Sequence, residues 1–339
     1  MTLLTIDQLE VRLPVDRAAR PILSGVSLHV DQGETVGLVG ESGSGKSVTC
    51  RTVLGQLPRG ATATGRVLVK GDDVLAMDSR ALRRLRSSEV AMVFQDPRAA
   101  VDPLRRVGDF VTEVLRTNLG YDRRRAEARA CELLEEVGIR DARRALRQWP
   151  HEFSGGMLQR VVIAAALAAR PGLLLADEAT TALDVTTQAE VVSILKRLAA
   201  ENDTGVLLVT HDLELAAAVC DRIYVMYAGQ VIEAQPVADL FATPRHPYTA
   251  ALLAATPRLD GEATVPAAIP GRPPGLGEPL RGCPFAPRCS FAEHRCETEY
   301  AGSLPAGQNV VSACVRSAEI LTQLSRPDDL LSAADGAGS

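Results

Sequence analysis

Glycine, serine and lysine recur at fixed spacing in Gly40-Glu41-Ser42-Gly43-Ser44-Gly45-Lys46-Ser47, a match to G-x-x-x-x-G-K-[ST]. Such a loop turns tightly on its glycines, so that successive N–H groups point inward at an anion, and the following helix adds its positive dipole end. The chemistry is phosphate binding: Gly40, Ser42, Gly43, Ser44, Gly45 and Val48 belong to the cradle, Lys46 reaches the β- and γ-phosphates, and the Ser47 hydroxyl ligates Mg2+. Two carboxylates, Asp177 and Glu178, close an apolar run that begins at Leu173. An aspartate in that position suits Mg2+, and the adjacent glutamate suits orienting and polarising a water for in-line attack on a γ-phosphate. Gln95 and His211 also lie just past the apolar runs 90–94 and 206–210.

Residues at strand ends need a fold that gathers those ends. Residues 35–39 read as the strand before the phosphate loop, and 48–54, with Val48, Cys50, Val53 and Leu54, as a helix with a buried face. Short β-prone runs fill 3–13 and 22–38, separated by Pro14, Gly25 and Asp31-Gln32-Gly33, and another strand is expected at 65–71. From 104 to 149 the pattern is helical, with Val111, Val114 and Leu115 on one face and Ala126, Ala130, Leu133, Leu134 and Val137 on another. His151 to Arg160 reads as a glycine-containing turn opening an alanine-rich helix. Strands alternating with helices imply a parallel sheet, whose ligands bind at the carboxyl ends of the strands. One such sheet would bring Ser47, Gln95, Asp177 and His211 together. After a last strand at 230–234 comes a proline-rich tract from Pro236 to Pro287 with one short helix at 248–255, so a domain boundary is expected near Gln235. The polar tail from Ser325 onward has the composition of a disordered segment.

Composition limits the alternatives. The 339 residues, 46% hydrophobic and 23% charged, are those of a globular chain with ample core. A net charge of -5 argues against a nucleic-acid binder with a basic face, and the arginine clusters at 80–86 and 123–125 read as solvated helix faces. The longest apolar run, 161–169, is too short to span a bilayer, and the N-terminus has no signal-peptide pattern, so the chain is expected in the cytosol. Seven cysteines there do not suggest a disulfide framework.

The ordered set 40–47, Gln95, Phe153-Ser154-Gly155-Gly156-Met157, 173–178, Ala182-Leu183-Asp184 and His211 resembles the ATP-binding subunits of ABC transporters. Trp149-Pro150-His151-Glu152, Thr180-Thr181-Ala182-Leu183-Asp184-Val185-Thr186 and Pro244-Arg245-His246-Pro247-Tyr248-Thr249 are similar to the oligopeptide/dipeptide importer branch. The resemblance covers roughly residues 1–318. It implies an α/β P-loop NTPase of the ABC ATPase type: a parallel-sheet core, an N-terminal antiparallel β subdomain and a helical insertion at about 98–168, together filling 1–235. A Cys-rich, proline-rich C-terminal extension at 236–320 and a flexible tail at 321–339 would follow.

The resemblance also implies an ATPase that works in pairs. Lys46, Ser47, Gln95, Asp177, Glu178 and His211 would serve this chain's own ATP and Mg2+, with Glu178, His211 and Gln95 catalytic. Ser154, Gly155 and Gly156 would serve the ATP of a second, related ATPase subunit, and Asp184 would couple the two sites. Two transmembrane permease subunits docked near Gln95 and the helical insertion, and an external solute-binding protein, complete the expected importer, with this chain peripheral on the cytoplasmic face of the membrane. A soluble ABC-type ATPase uncoupled from transport is the alternative, and it would ordinarily carry two ATPase units or a long coiled coil. A simple P-loop kinase is disfavoured by the Ser-Gly-Gly element. Two departures stand out: no aromatic residue precedes Phe94 to stack on adenine, leaving Arg17 or Arg20, and Ala179 stands where proline is usual in the family.

Cys283, Cys289, Cys296 and Cys314 crowd the last quarter of the chain. Four thiols can hold a tetrahedral Zn2+ or a [4Fe–4S] cluster, or stay unligated, and the spacing alone leaves all three open. Similar sets in the peptide-importer branch are associated with [4Fe–4S] clusters, so the resemblance favours a cluster with a structural role; His294 could substitute as a ligand.

Overall fold

Runs with apolar residues at every position become strands buried on both faces. In the computed structural model, which describes residues 1–15, 18–179, 184–256, 268–275, 278, 281–300, 302, 304–307 and 310–324, the strands in chain order are β1 (Thr2–Val15), β2 (Ala18–Asp31), β3 (Thr35–Val39), β4 (Thr62–Val69), β5 (Asp72–Asp73), β6 (Val90–Val93), β7 (Leu173–Asp177), β8 (Gly205–Thr210), β9 (Arg222–Tyr227), β10 (Gln230–Pro236), β11 (Leu304–Gly307) and β12 (Val310–Ser312). Among the described residues they form a four-stranded antiparallel sheet, β2-β1-β4-β5, and an eight-stranded sheet, β11-β12-β10-β9-β3-β8-β7-β6. The run from β9 to β6 is parallel.

Period-two alternation assigns the faces of the large sheet. Val36, Leu38, Leu173, Leu175, Leu207 and Val209 pack toward the antiparallel sheet and the helix Lys46–Val53. Val39, Leu174, Ala176, Val206 and Leu208 pack toward the helices on the other side. There the helices Val107–Thr117 and Arg123–Glu136 bury Val111, Leu115, Ala126, Ala130, Leu133 and Leu134 at the expected positions, against the helix Gly155–Leu167. Fully burying a Leu or Val side chain is worth about 1.5–3 kcal/mol. Both faces are therefore strongly fixed, and with them the height at which the strand ends emerge.

The segment after Gln235 continues the large sheet: β12 pairs antiparallel with β10, Glu233 opposite Ser312, and β11 pairs with β12. Its helix Pro247–Ala254 carries Tyr248, whose ring lies 4.7 Å from that of Tyr227 on β9, with Phe285 packed edge-on against both. No helix among the described residues is long and apolar enough to cross a membrane. Part of the run 180–186 (residues 180–183), Arg17 and the tail from 325 lie outside the described residues.

Candidate nucleotide-binding site

The phosphate loop leaves the end of β3 and enters the helix Lys46–Val53, the strand, loop and helix order its pattern requires. Two of its glycines are sterically obligatory. A Cβ on Gly40, at φ 152°, would meet the Met226 carbonyl oxygen at 2.2 Å, and one on Gly45, at φ 104°, would meet Leu23 Cδ2 at 2.5 Å. Lys46 is buried, and its Nζ donates to the carbonyl oxygens of Gly40 at 2.7 Å and Glu41 at 2.9 Å. Burial lowers its pKa, against the pull of Glu178, Asp177 and Glu41. A desolvated ammonium folded onto neutral carbonyls is stored charge that an anion would engage strongly.

Ser47 Oγ donates to Asp177 Oδ1 at 2.7 Å, joining the first helical turn to the end of β7. Burial raises the Asp177 pKa, opposed by that hydrogen bond and by Arg51. The two hard oxygen donors side by side fit Mg2+. Glu178 follows with φ 48°, its N–H donating to Val209 O on β8 at 3.0 Å and its Oε2 accepting from Gln95 Nε2 at 3.0 Å. Gln95, Ser47, Asp177 and Glu178 are thus one connected group. His211 is exposed just past β8, next to Asp212, which caps the helix Leu213–Val219. Of the residues considered for adenine, Arg20 is half-buried on β2 opposite Leu13.

Ser154 caps the helix Gly155–Leu167, accepting from Met157 N at 3.3 Å. It lines, with Gly155, Gly156, Asp184 and Thr187, an open cleft of 1180 Å3. None of the phosphate-loop residues borders that cleft. Asp184 accepts from Thr187 N and Oγ1, and Thr187 Cγ2 lies 2.5 Å from where a Cβ on Gly156 would stand. A side chain at 156 would therefore displace Thr187, a constraint the sequence does not announce.

All four C-terminal cysteines border one small cavity, together with His246, Pro247, Phe291 and Ile320. Burial pushes Cys289 up to about 12 and Cys314 up to about 11. Four sulfur donors around one cavity match the donor number of a cluster or of zinc. Yet no group of three or more His, Cys, Asp or Glu among the described residues is placed to hold a metal ion. Among the described residues the four thiols thus share a cavity without meeting the geometry of a ligand set. His294 is 90% exposed beside Glu297 and does not border the cavity. The histidine that does is His246, fully buried, with Nδ1 accepting from Tyr248 N and Nε2 4.0 Å from Cys283 Sγ. It lies 37 positions upstream of Cys283, too far for spacing to reveal.

A family model described as ABC transporter matches residues 23–181, and one described as the C-terminal region of oligopeptide/dipeptide transporters matches 232–296. A putative peptide import ATP-binding protein of Brucella melitensis is 45% identical over 312 residues, covering 88% of this chain and 92% of the relative. The oligopeptide transport ATP-binding protein of Bacillus subtilis is 47% identical over 274 residues, covering 80% and 76%. A solved dimeric bacterial ABC transporter cassette superposes with a TM-score of 0.62 at 28% identity, over 69% of this chain and 99% of that one. A subunit of an ABC transporter complex from Clostridium perfringens gives 0.62 at 26%, over 71% and 91%.

Proposed function

The chain belongs to the ATP-binding subunits of ABC transporters, in the oligopeptide/dipeptide importer branch, and from that premise we propose that it hydrolyses ATP to energise import of di- or oligopeptides or related small solutes. Lys46 and the N–H groups of 40–48 bind the phosphates. Ser47, Asp177 and Gln95 would hold Mg2+, which would supply charge neutralisation for the phosphates. Glu178, held by Gln95, orients the attacking water and accepts its proton. His211 contacts the γ-phosphate, and Asp184 couples the two sites of a pair.

One observation carries the reading: the Ser47–Asp177 and Gln95–Glu178 pairs form one group, while Ser154, Gly155 and Gly156 line a cleft that none of those four residues borders. A second, related ATPase subunit presents its own Ser-Gly-Gly turn to this chain's ATP. An apolar groove of 390 Å3 beside Gln95, lined by Met92, Phe94, Phe110, Val114 and Val162, suits a helix of a permease subunit. The chain then lies peripherally on the cytoplasmic face of the membrane, with two permeases and, across the membrane, a solute-binding protein. Residues 1–235 form the nucleotide-binding domain, with the helical subdomain at about 98–168, and 236–320 an extension ordered by a [4Fe–4S] cluster on Cys283, Cys289, Cys296 and Cys314, supported by their shared cavity.

Anaerobic purification from detergent-solubilised membranes tests both parts. Two permease chains and a second ATPase should co-purify, with four iron and four sulfide per copy of this chain as the cluster's composition requires. Recovery of this chain alone would remove the transport reading, and a colourless complex containing zinc would remove the cluster.

A further inference from the structure

Glu41, the second residue of the phosphate loop, is gripped by the C-terminal segment. Arg288 Nη1 donates to Glu41 Oε1 at 3.1 Å and Oε2 at 3.0 Å, and to the Tyr227 hydroxyl at 3.1 Å. The Arg288 side chain is only 6% exposed, and its remaining nitrogens donate to the carbonyl oxygens of Pro270 and Ile269. The Glu41 N–H donates to the Tyr248 hydroxyl at 3.0 Å. Glu41 is therefore fixed through both side chain and backbone by residues more than 200 positions away.

The grip acts on the nucleotide site in two ways. Glu41 O is one of the two carbonyls that hold Lys46 Nζ, so fixing Glu41 fixes the lysine's resting place. An uncompensated carboxylate on the loop read as the phosphate cradle would repel a polyphosphate, and the guanidinium neutralises it at hydrogen-bond distance. We propose that Arg288 is a positioning residue for the phosphate loop, through which the cysteine-bearing segment sets nucleotide affinity; this rests on the reading that residues 40–47 hold the phosphates. Arg288 closes the short turn Ala286–Arg288 between Cys283 and Cys289, and the Cys289 N–H donates back to Ala286 O, so the guanidinium and the cysteines belong to one compact turn.

The test is MgADP affinity of the full-length chain by calorimetry. Lys46→Ala checks the underlying reading: if it binds MgADP as tightly as wild type, the phosphate-loop assignment fails. Arg288→Met should weaken binding about tenfold, because it both frees the loop and uncovers a negative charge. Glu41→Gln frees the loop but carries no charge, so its loss should be smaller. In the Arg288→Met background Glu41→Gln should restore part of the affinity, a sign of coupling that general destabilisation does not produce. Arg288→Lys should recover part of it too. Wild-type affinity in Arg288→Met alongside lost binding in Lys46→Ala, or a double variant weaker than Arg288→Met, overturns the proposal. If Arg288→Met does not fold, Glu41→Gln alone decides: unchanged affinity overturns it and a severalfold loss supports it.

Discussion

Glu178 is held in a left-handed backbone conformation, φ 48°, that costs a non-glycine residue about 1 kcal/mol or more. The conformation is retained because its N–H is tied to Val209 O and its carboxylate to Gln95. Glu178→Gln keeps the size of the side chain and a partner for Gln95 but cannot accept a proton. ATP turnover of the assembled importer should fall by about 10²–10⁴-fold, while MgATP binding, which rests on Lys46 and the loop N–H groups, stays within a few-fold of wild type. Turnover near wild type would take the base role away from Glu178. The phosphate loop and the 177–178 carboxylates were legible in the sequence because their pattern is local: closely spaced glycines and an apolar run ending in acid need no distant partner to be recognised. Arg288 and His246 were not legible, because each acquires its meaning only from a residue tens to hundreds of positions away.

Glu233 marks the element at which the C-terminal segment joins the sheet. It lies on β10 opposite Ser312 of β12, is fully buried, and accepts from the N–H groups of Arg245 and His246 and from Gln235 Nε2. Burial, only partly offset by those donors and by Thr249, pushes its pKa up to about 7 from an ordinary 4.5. The folded chain therefore holds a proton here that the unfolded chain has released between pH 4.5 and 7. The stabilisation is fully present below about pH 4.5 and is lost as pH rises through about 7. From pH 5 to 8, wild type should lose up to about 3 kcal/mol relative to Glu233→Gln, read as a change in the difference between their thermal midpoints. A pH-independent difference would mean that Glu233 is ionised in the fold throughout. The strand at 230–234 could be read from its apolar and β-branched residues. The strands β11 and β12 could not, because they are three or four residues long and gain their order from pairing with β10 rather than from their own pattern.

At the scale of the whole molecule the Ser-Gly-Gly turn lines a cleft that no phosphate-loop residue borders, and on the proposed reading the two are half-sites for different nucleotides. The loop's half is complete in its own contacts: Lys46 has its carbonyls, and Ser47 its aspartate. The turn's half is an exposed helix start, with Ser154 and Met157 both open to solvent and Asp184 and Thr187 forming its rim. Thirteen helical residues behind it aim a positive dipole end outward. Gly155→Asp would place a carboxylate at that end without touching the phosphate loop. MgADP affinity of the single chain should then be unchanged, while ATPase activity of the assembled importer falls about a hundredfold or more, because the variant repels the other subunit's triphosphate. A matching loss of MgADP affinity in the single chain would mean that the turn serves this chain's own nucleotide, and the two half-sites would have to close within one subunit.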